Sequence, residues 1–69
     1  MGDDKAAAIA DTLELLHLNQ IALRAAVEEV NTWIRQRGSM NVHHNVMAAV
    51  ETLDTNADAI TSGIEQLRQ

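Results

Sequence analysis

The sequence predicts an all-α fold, a single antiparallel two-helix hairpin spanning residues 1–69. Three observations predict it. Apolar residues recur at alternating steps of four and three along two long stretches, the spacing of one helix face. Between the stretches stands Gly38-Ser39, the only strong interior punctuation. The chain has no proline and three glycines, too few turn-makers for a β-sandwich or barrel with many corners.

The first helix is expected over residues 4–37. Asp3 and Asp4 stand at its start, where anions suit the positive end of the helix dipole. Arg35 and Arg37 stand in its last turn, where cations meet the negative end. Its apolar seam reads Ile9, Leu13, Leu16, Gln20, Leu23, Val27, Val30, Ile34. The turn falls at residues 38–39: glycine takes the left-handed conformation that ends a helix, and the serine oxygen can cap the next one. The second helix is expected over residues 40–68, with the seam Val46, Val50, Leu53, Ala57, Ile60, Ile64, Leu67. Asp54-Thr55-Asn56 has poor helix propensity, and Thr55-x-x-Asp58 loosely resembles a capping pattern. The seam passes through it in phase, which favours a continuous helix.

Folding at Gly38 lays the two seams side by side without a skip. Ile34 then opposes His43, Val30 opposes Val46, Val27 opposes Val50, and Leu23 opposes Leu53. Further along, Leu16 opposes Ile60, Leu13 opposes Ile64 and Ile9 opposes Leu67. This closure of register is the mark of an antiparallel αα-hairpin. Gln20, the polar member of the first seam, falls opposite Ala57, the smallest of the second. It reads either as a pairing device or as an amide tipped toward water.

The first helix carries more apolar surface than one partner helix covers. Leu15, Leu18, Ala22 and Ala25 form a second stripe nearly opposite the seam, with Ile21 beside it. A contiguous exposed patch of this kind marks an interaction surface. Ordering a chain of this length costs on the order of 100 kcal/mol, at about 1.5 kcal/mol per residue, and a two-helix core rarely offsets that. A homodimer of hairpins, forming a four-helix bundle, is therefore expected to bury the stripes. Docking on a host protein is the alternative way to cover them.

Other chemistry is poorly supplied. With no cysteine there is no disulfide framework, thiol nucleophile or Cys-based metal site. His43 and His44 are adjacent, so on a helix they diverge by about 100° and do not chelate one ion together; His17 lies far from both. Ser39 and Ser62 lack a Gly-x-Ser-x-Gly elbow, and no glycine-rich phosphate loop is present. A helical hairpin offers no concave pocket that excludes water from a substrate. Neither an enzyme nor a bound cofactor is expected.

Ten acidic residues against five basic ones give a net charge of −5, which argues against nucleic acid as a partner. A plasmid-type RNA-binding four-helix dimer would need a basic stripe that these scattered bases do not supply. No apolar run is long enough to span a bilayer, and the N-terminal residues are polar, so a cytoplasmic protein without a membrane partner is expected. The charges are uneven. Arg35, Arg37, His43 and His44 gather at the turn, while Asp3, Asp4, Asp11, Glu14 and Glu65 gather at the other end. They read as two sub-surfaces of opposite sign, or as dipole matching and solubilising charge.

The candidate binding residues are accordingly Leu15, Leu18, Ile21, Arg24, Trp33, Arg35 and Arg37. Arg24 is a guanidinium set among apolar side chains, suited to anchor an interface or simply to pair with Glu28 one turn on. Trp33, the sole aromatic residue, suits either the core or a contact surface. Such a chain has two readings, a protein-binding module or a structural, oligomerising helical module of the kind found in secretion assemblies.

In length, acidity, lack of cysteine and hairpin architecture, the whole chain resembles small phage-encoded anti-activators of bacterial quorum-sensing regulators. The resemblance rests on size and architecture and carries over no individual residue. It implies a homodimeric inhibitor in the host cytoplasm that binds the DNA-binding domain of a LuxR-type transcription factor and keeps it from DNA. A second host target, a pilus-assembly ATPase, also fits the resemblance.

Overall fold

A computed structural model describes residues 2–69. The fold is an all-helical hairpin. Helix α1 runs Asp3–Gln36 and helix α2 runs Met40–Arg68. They pack antiparallel into a rod of 53 × 16 × 12 Å. Its radius of gyration is 16.0 Å, against about 11 Å for a compact domain of this length. The rod is two helices thick in one direction and one in the other, so most side chains have water on at least one side.

Local chemistry sets the helix ends. Asp3 and Asp4 occupy the first turn of α1, and Gly2 is its N-cap in extended conformation. At the other end Gly38 takes φ 84°. Its N–H donates to the Arg35 carbonyl at 3.0 Å, and the Ser39 N–H donates to the Ile34 carbonyl at 3.2 Å. This crossed pair is the Schellman arrangement, which satisfies carbonyls that the helix leaves open and needs a left-handed residue. Ser39 is the N-cap of α2 but makes no side-chain capping bond, contrary to the sequence expectation.

Helix α2 is continuous through Asp54–Asn56. The Thr55 hydroxyl donates back to the Glu51 carbonyl at 3.1 Å instead of capping a new segment. Asp54 is drawn across the hairpin to Arg24. Side chains that would favour a break are thus occupied inside the helix or across it.

The seam of α2 lies where the heptad places it. Val50 and Ile64 are buried, and Val46, Leu53, Ala57 and Leu67 are half-buried; Ile60 is at the edge of exposure. The seam of α1 is rotated from the expected one. Ala10 and Asn31 are buried, and His17, Arg24 and Ile34 are half-buried. Leu13 and Val27 sit at the margin, 37% and 38% exposed, while Ile9, Leu16, Leu23 and Val30 face outward. The expected pairings of Ile9, Leu16, Leu23 and Val30 with α2 are therefore corrected. Positions 10, 17, 24 and 31 take their place in the seam, on the other flank of the row Leu13, Val27 and Ile34.

The physical reason is polar. Arg24 donates to both carboxylate oxygens of Asp54, at 2.5 and 3.0 Å, and the Asn31 amide donates to the His43 carbonyl at 3.3 Å. Both contacts need these side chains to point at α2, and turning α1 by about 50°, half the angle between successive residues, achieves it while Ile34 keeps its place in the seam. The resulting core is small. Its buried apolar members are Ala10, Val50 and Ile64. Covered polar atoms, His17 Nδ1, Asn31 Oδ1 and His43 Nδ1, find no partner among the described residues. Each such atom costs about 1–3 kcal/mol where water cannot reach it.

Candidate interaction surface

On α1 the expected surplus of apolar surface is present and larger than the sequence indicated. It has two parts. One is the outward row Ile9, Leu16, Leu23 and Val30, spaced one heptad apart. The other is the patch of Leu15, Leu18 and Ile21, which lies roughly 150° round the helix from that row at the level of Leu18. Leu15 is 65% exposed, the most open of the large apolar side chains. Over residues 15–23 α1 is thus apolar on several sides at once, and α2 covers only one.

Between the helices at mid-length lies an open groove of about 410 Å³. Leu13, Gln20 and Arg24 line it from α1, and Leu53, Ala57 and Ile60 from α2. It forms where Gln20 meets Ala57, because alanine leaves the space a larger side chain would fill.

Arg24, read from sequence as a possible anchor, is engaged within the hairpin. Besides Asp54 it contacts Glu28 at 3.2 Å. The hydrogen bonds it donates to Asp54 hold its guanidinium pKa above an already high ordinary value, with Glu28 adding to the effect. Arg68 plays the matching part at the other end, reaching Asp11 at 2.9 Å and Glu14 at 2.6 Å. Its pKa is raised by those two hydrogen bonds, Asp11 first. The pairs act as clasps from α1 to α2 at two levels.

Trp33 is exposed, and the Arg37 guanidinium lies 4.6 Å from its ring centroid. This cation–π contact leaves the polar edge of Arg37 and one face of Trp33 open. Among the described residues neither Arg35 nor Arg37 takes part in an ion pair. The seven candidate residues thus fall into three places: Leu15, Leu18 and Ile21 on one side of mid-α1, Arg24 inside the clasp, and Trp33, Arg35 and Arg37 at the turn.

Asn31 and the inward aim of His17 were missed from sequence. The available signal was a polar row at heptad spacing, His17, Arg24 and Asn31, continuing Ala10. Glu14-x-x-His17 also has the spacing of a ligand pair on one helix face. Arg68 occupies the Glu14 carboxylate, and among the described residues no group of three or more His, Asp or Glu is placed to hold an ion. Among those residues no helix is long and apolar enough to cross a membrane.

The accessible surface of the chain is 5286 Å². A compact monomer of this mass would expose about 4,300 Å². The excess is close to the roughly 800 Å² that each partner contributes to a standard-sized interface.

No family, curated protein or solved structure matches this chain.

Proposed function

We propose that this chain is a non-enzymatic, protein-binding inhibitor that acts as a homodimer in the bacterial cytoplasm. The observation that carries the reading is the double apolar exposure of α1, an outer row and a separate mid-helix patch on one rod. A second copy covers one of these surfaces, and the other remains for a target. Such a surface, apolar at its centre with charged residues around it, has the composition of a protein–protein interface.

The target class follows from the resemblance to phage anti-activators: the DNA-binding domain of a LuxR-type regulator, with a pilus-assembly ATPase as a second candidate. Glu51 and Asp58 project from the described surface without ion pairs of their own. They suit a basic DNA-binding surface, where carboxylates compete with phosphate. Asp54, committed to Arg24, contributes less than its position in the sequence suggests.

The test is a gel-shift titration of a LuxR-type regulator on its operator. Adding the chain is expected to release the DNA, and Leu18→Glu is expected to abolish that release. A regulator that holds its operator unchanged at saturating chain would exclude the target class. Open-ended assembly in place of a closed dimer would favour the structural-module reading.

A further inference from the structure

We propose that two copies stack through an uncharged face that both helices share, each α1 lying over the α2 of the other copy and both turns at one end of the bundle. This rests on the homodimer proposed above and adds which face is buried and how the four helices are ordered.

The first argument is the placement of charge. The ion pairs of Arg24 with Asp54 and of Arg68 with Glu14 mark one side of the rod. At heptad spacing Asp11, Glu28 and Arg35 lie on that side of α1. On α2 every charged residue lies there, Glu51, Asp58 and Glu65 in one row, Asp54 and Arg68 in the next. Lys5 and Glu29 sit on the back of α1, away from α2. The opposite side carries the outer row of α1 and a matching outer row of α2, Val42, Ala49, Asn56 and Gly63. Neither row holds a charged residue within its helix. Between them lie Leu13, Gln20, Leu53 and Ile60, which line the mid-length groove. Two copies of net charge −5 can thus meet on this face with their carboxylates pointing apart.

The second argument is size. The outer row of α1 is made of large side chains, and that of α2 steps down to Ala49, Asn56 and Gly63. In the register of the hairpin Leu16 stands at the level of Ile60, between Asn56 and Gly63, and Leu23 at the level of Leu53, between Ala49 and Asn56. A twofold axis along the rod sets the α2 of one copy over the α1 of the other and keeps these levels. Leu16 then enters the gap between Asn56 and Gly63 of the second copy, and Leu23 the gap between Ala49 and Asn56. This is the knobs-into-holes packing of helical bundles. A Cβ built on Gly63 meets nothing within 4 Å, so that gap is open in the single hairpin. An axis across the rod would instead stack large on large and small on small, with crowding over α1 and voids over α2. Knobs and holes belong to one chain, so the occupant that fits is a second copy, and the fit occurs twice per dimer.

The third argument is area. The surplus surface of the chain is close to the roughly 800 Å² that one partner contributes to a standard interface. Bringing the turns to one end does not press their arginines together. The two α1 helices stand at diagonal corners, roughly 14 Å apart where neighbours are about 10 Å apart, beyond a Debye length of about 8 Å. Arg35 lies on the charged side, and Arg37 lies over Trp33. Leu15, Leu18 and Ile21 stay outside the shared face, so one rod separates self-association from target binding.

The chain has no cysteine, so single labels are unambiguous. The turn residue Ser39 is exposed and makes no side-chain cap, so Ser39→Cys bearing a nitroxide leaves the fold intact. The separation between labels in the dimer is expected to be within about 25 Å, two helix diameters. A separation of roughly 50 Å, the length of a 34-residue helix, would put the turns at opposite ends and overturn the arrangement. Disulfide trapping reads the stacking, because bridging needs Cα atoms within about 7 Å. Leu23→Cys and Asn56→Cys are expected to link when the two single variants are mixed. Linking of Leu16→Cys with Leu23→Cys would instead place α1 on α1 and contradict the proposal. Ala49 is exposed in the hairpin, so Ala49→Leu leaves the fold intact and closes the gap that Leu23 fills. It is expected to weaken the dimer at least about tenfold by sedimentation, a loss of about 1.4 kcal/mol; an unchanged or tighter dimer would overturn the packing. Sedimentation of the unmodified chain separates the two claims. A monomer removes the homodimer and this arrangement together, while a dimer with a long label separation removes the arrangement alone.

Discussion

Arg24 and Asp54 close a two-point ion pair across the hairpin, between residues thirty positions apart in the chain. With the Asn31–His43 contact, this pair matches the rotation that α1 adopts. That rotation turns the row Ala10, His17, Arg24, Asn31 toward α2 and leaves Ile9, Leu16, Leu23 and Val30 outside. Breaking it by Arg24→Gln or Asp54→Asn is expected to lower the melting temperature. The double variant should lose less than the two single losses combined, because the partners share one interaction. Since both groups meet solvent, the coupling should be modest and shrink as salt rises toward about 1 M. Thermal unfolding by circular dichroism across a salt series checks this. Strict additivity at low salt would show that the pair does not hold the helices.

The two interior glycines are expected to respond in opposite directions. Gly38 sits at φ 84°, where a Cβ is strained whatever space surrounds it. Gly38→Ala should therefore destabilise the chain by about 1–2 kcal/mol. Gly63 lies within α2, and a Cβ built there meets nothing within 4 Å. Gly63→Ala should stabilise by about 0.5–1 kcal/mol, as alanine restricts the unfolded chain and favours the helix. Chemical denaturation midpoints read both changes.

Ile64 is among the few buried apolar side chains, and Leu15 is the most exposed large one. Ile64→Ala is expected to cost about 2–4 kcal/mol, the usual range for truncating a core isoleucine. In a core this small that suffices to unfold much of the population at ambient temperature. Leu15→Ala should change stability by less than about 0.5 kcal/mol, as expected for a surface substitution. Equal effects from the two would mean that another surface covers Leu15 in the folded state.

Much of the fold was legible because α2 obeys its heptad plainly. Val46, Val50, Leu53, Ala57, Ile64 and Leu67 face α1 as their spacing requires. Gly38 marked the turn because a left-handed residue is needed there. Helix α1 was harder to read because its apolar residues exceed one face. Periodicity then fits two rotations about 50° apart, and polar contacts favour one of them. Those contacts join Arg24 to Asp54 and Asn31 to His43, residues whose meeting depends on the fold. The exposed patch was legible in Leu15, Leu18 and Ile21. The outer row was not, since Leu16 and Leu23 in phase with Leu13 look like core.

The two apolar surfaces of α1 are expected to separate by mutation. Leu16→Glu places a charge in the outer row and should convert dimers to monomers. Leu18→Glu lies on another side of the helix and should leave the dimer intact while removing target binding. Light scattering on both variants, with circular dichroism to confirm helicity, distinguishes them. A dimer lost in Leu18→Glu and retained in Leu16→Glu would exchange the roles of the two surfaces.

That one hairpin exposes more apolar surface than a lone chain can keep in water is open to direct measurement. Sedimentation equilibrium of the unmodified chain tests it most directly. The chain mass is 7.6 kDa, so a closed pair should weigh roughly 15 kDa and hold that mass over a range of concentrations. A stable, helical species of single-chain mass at every concentration would contradict the claim.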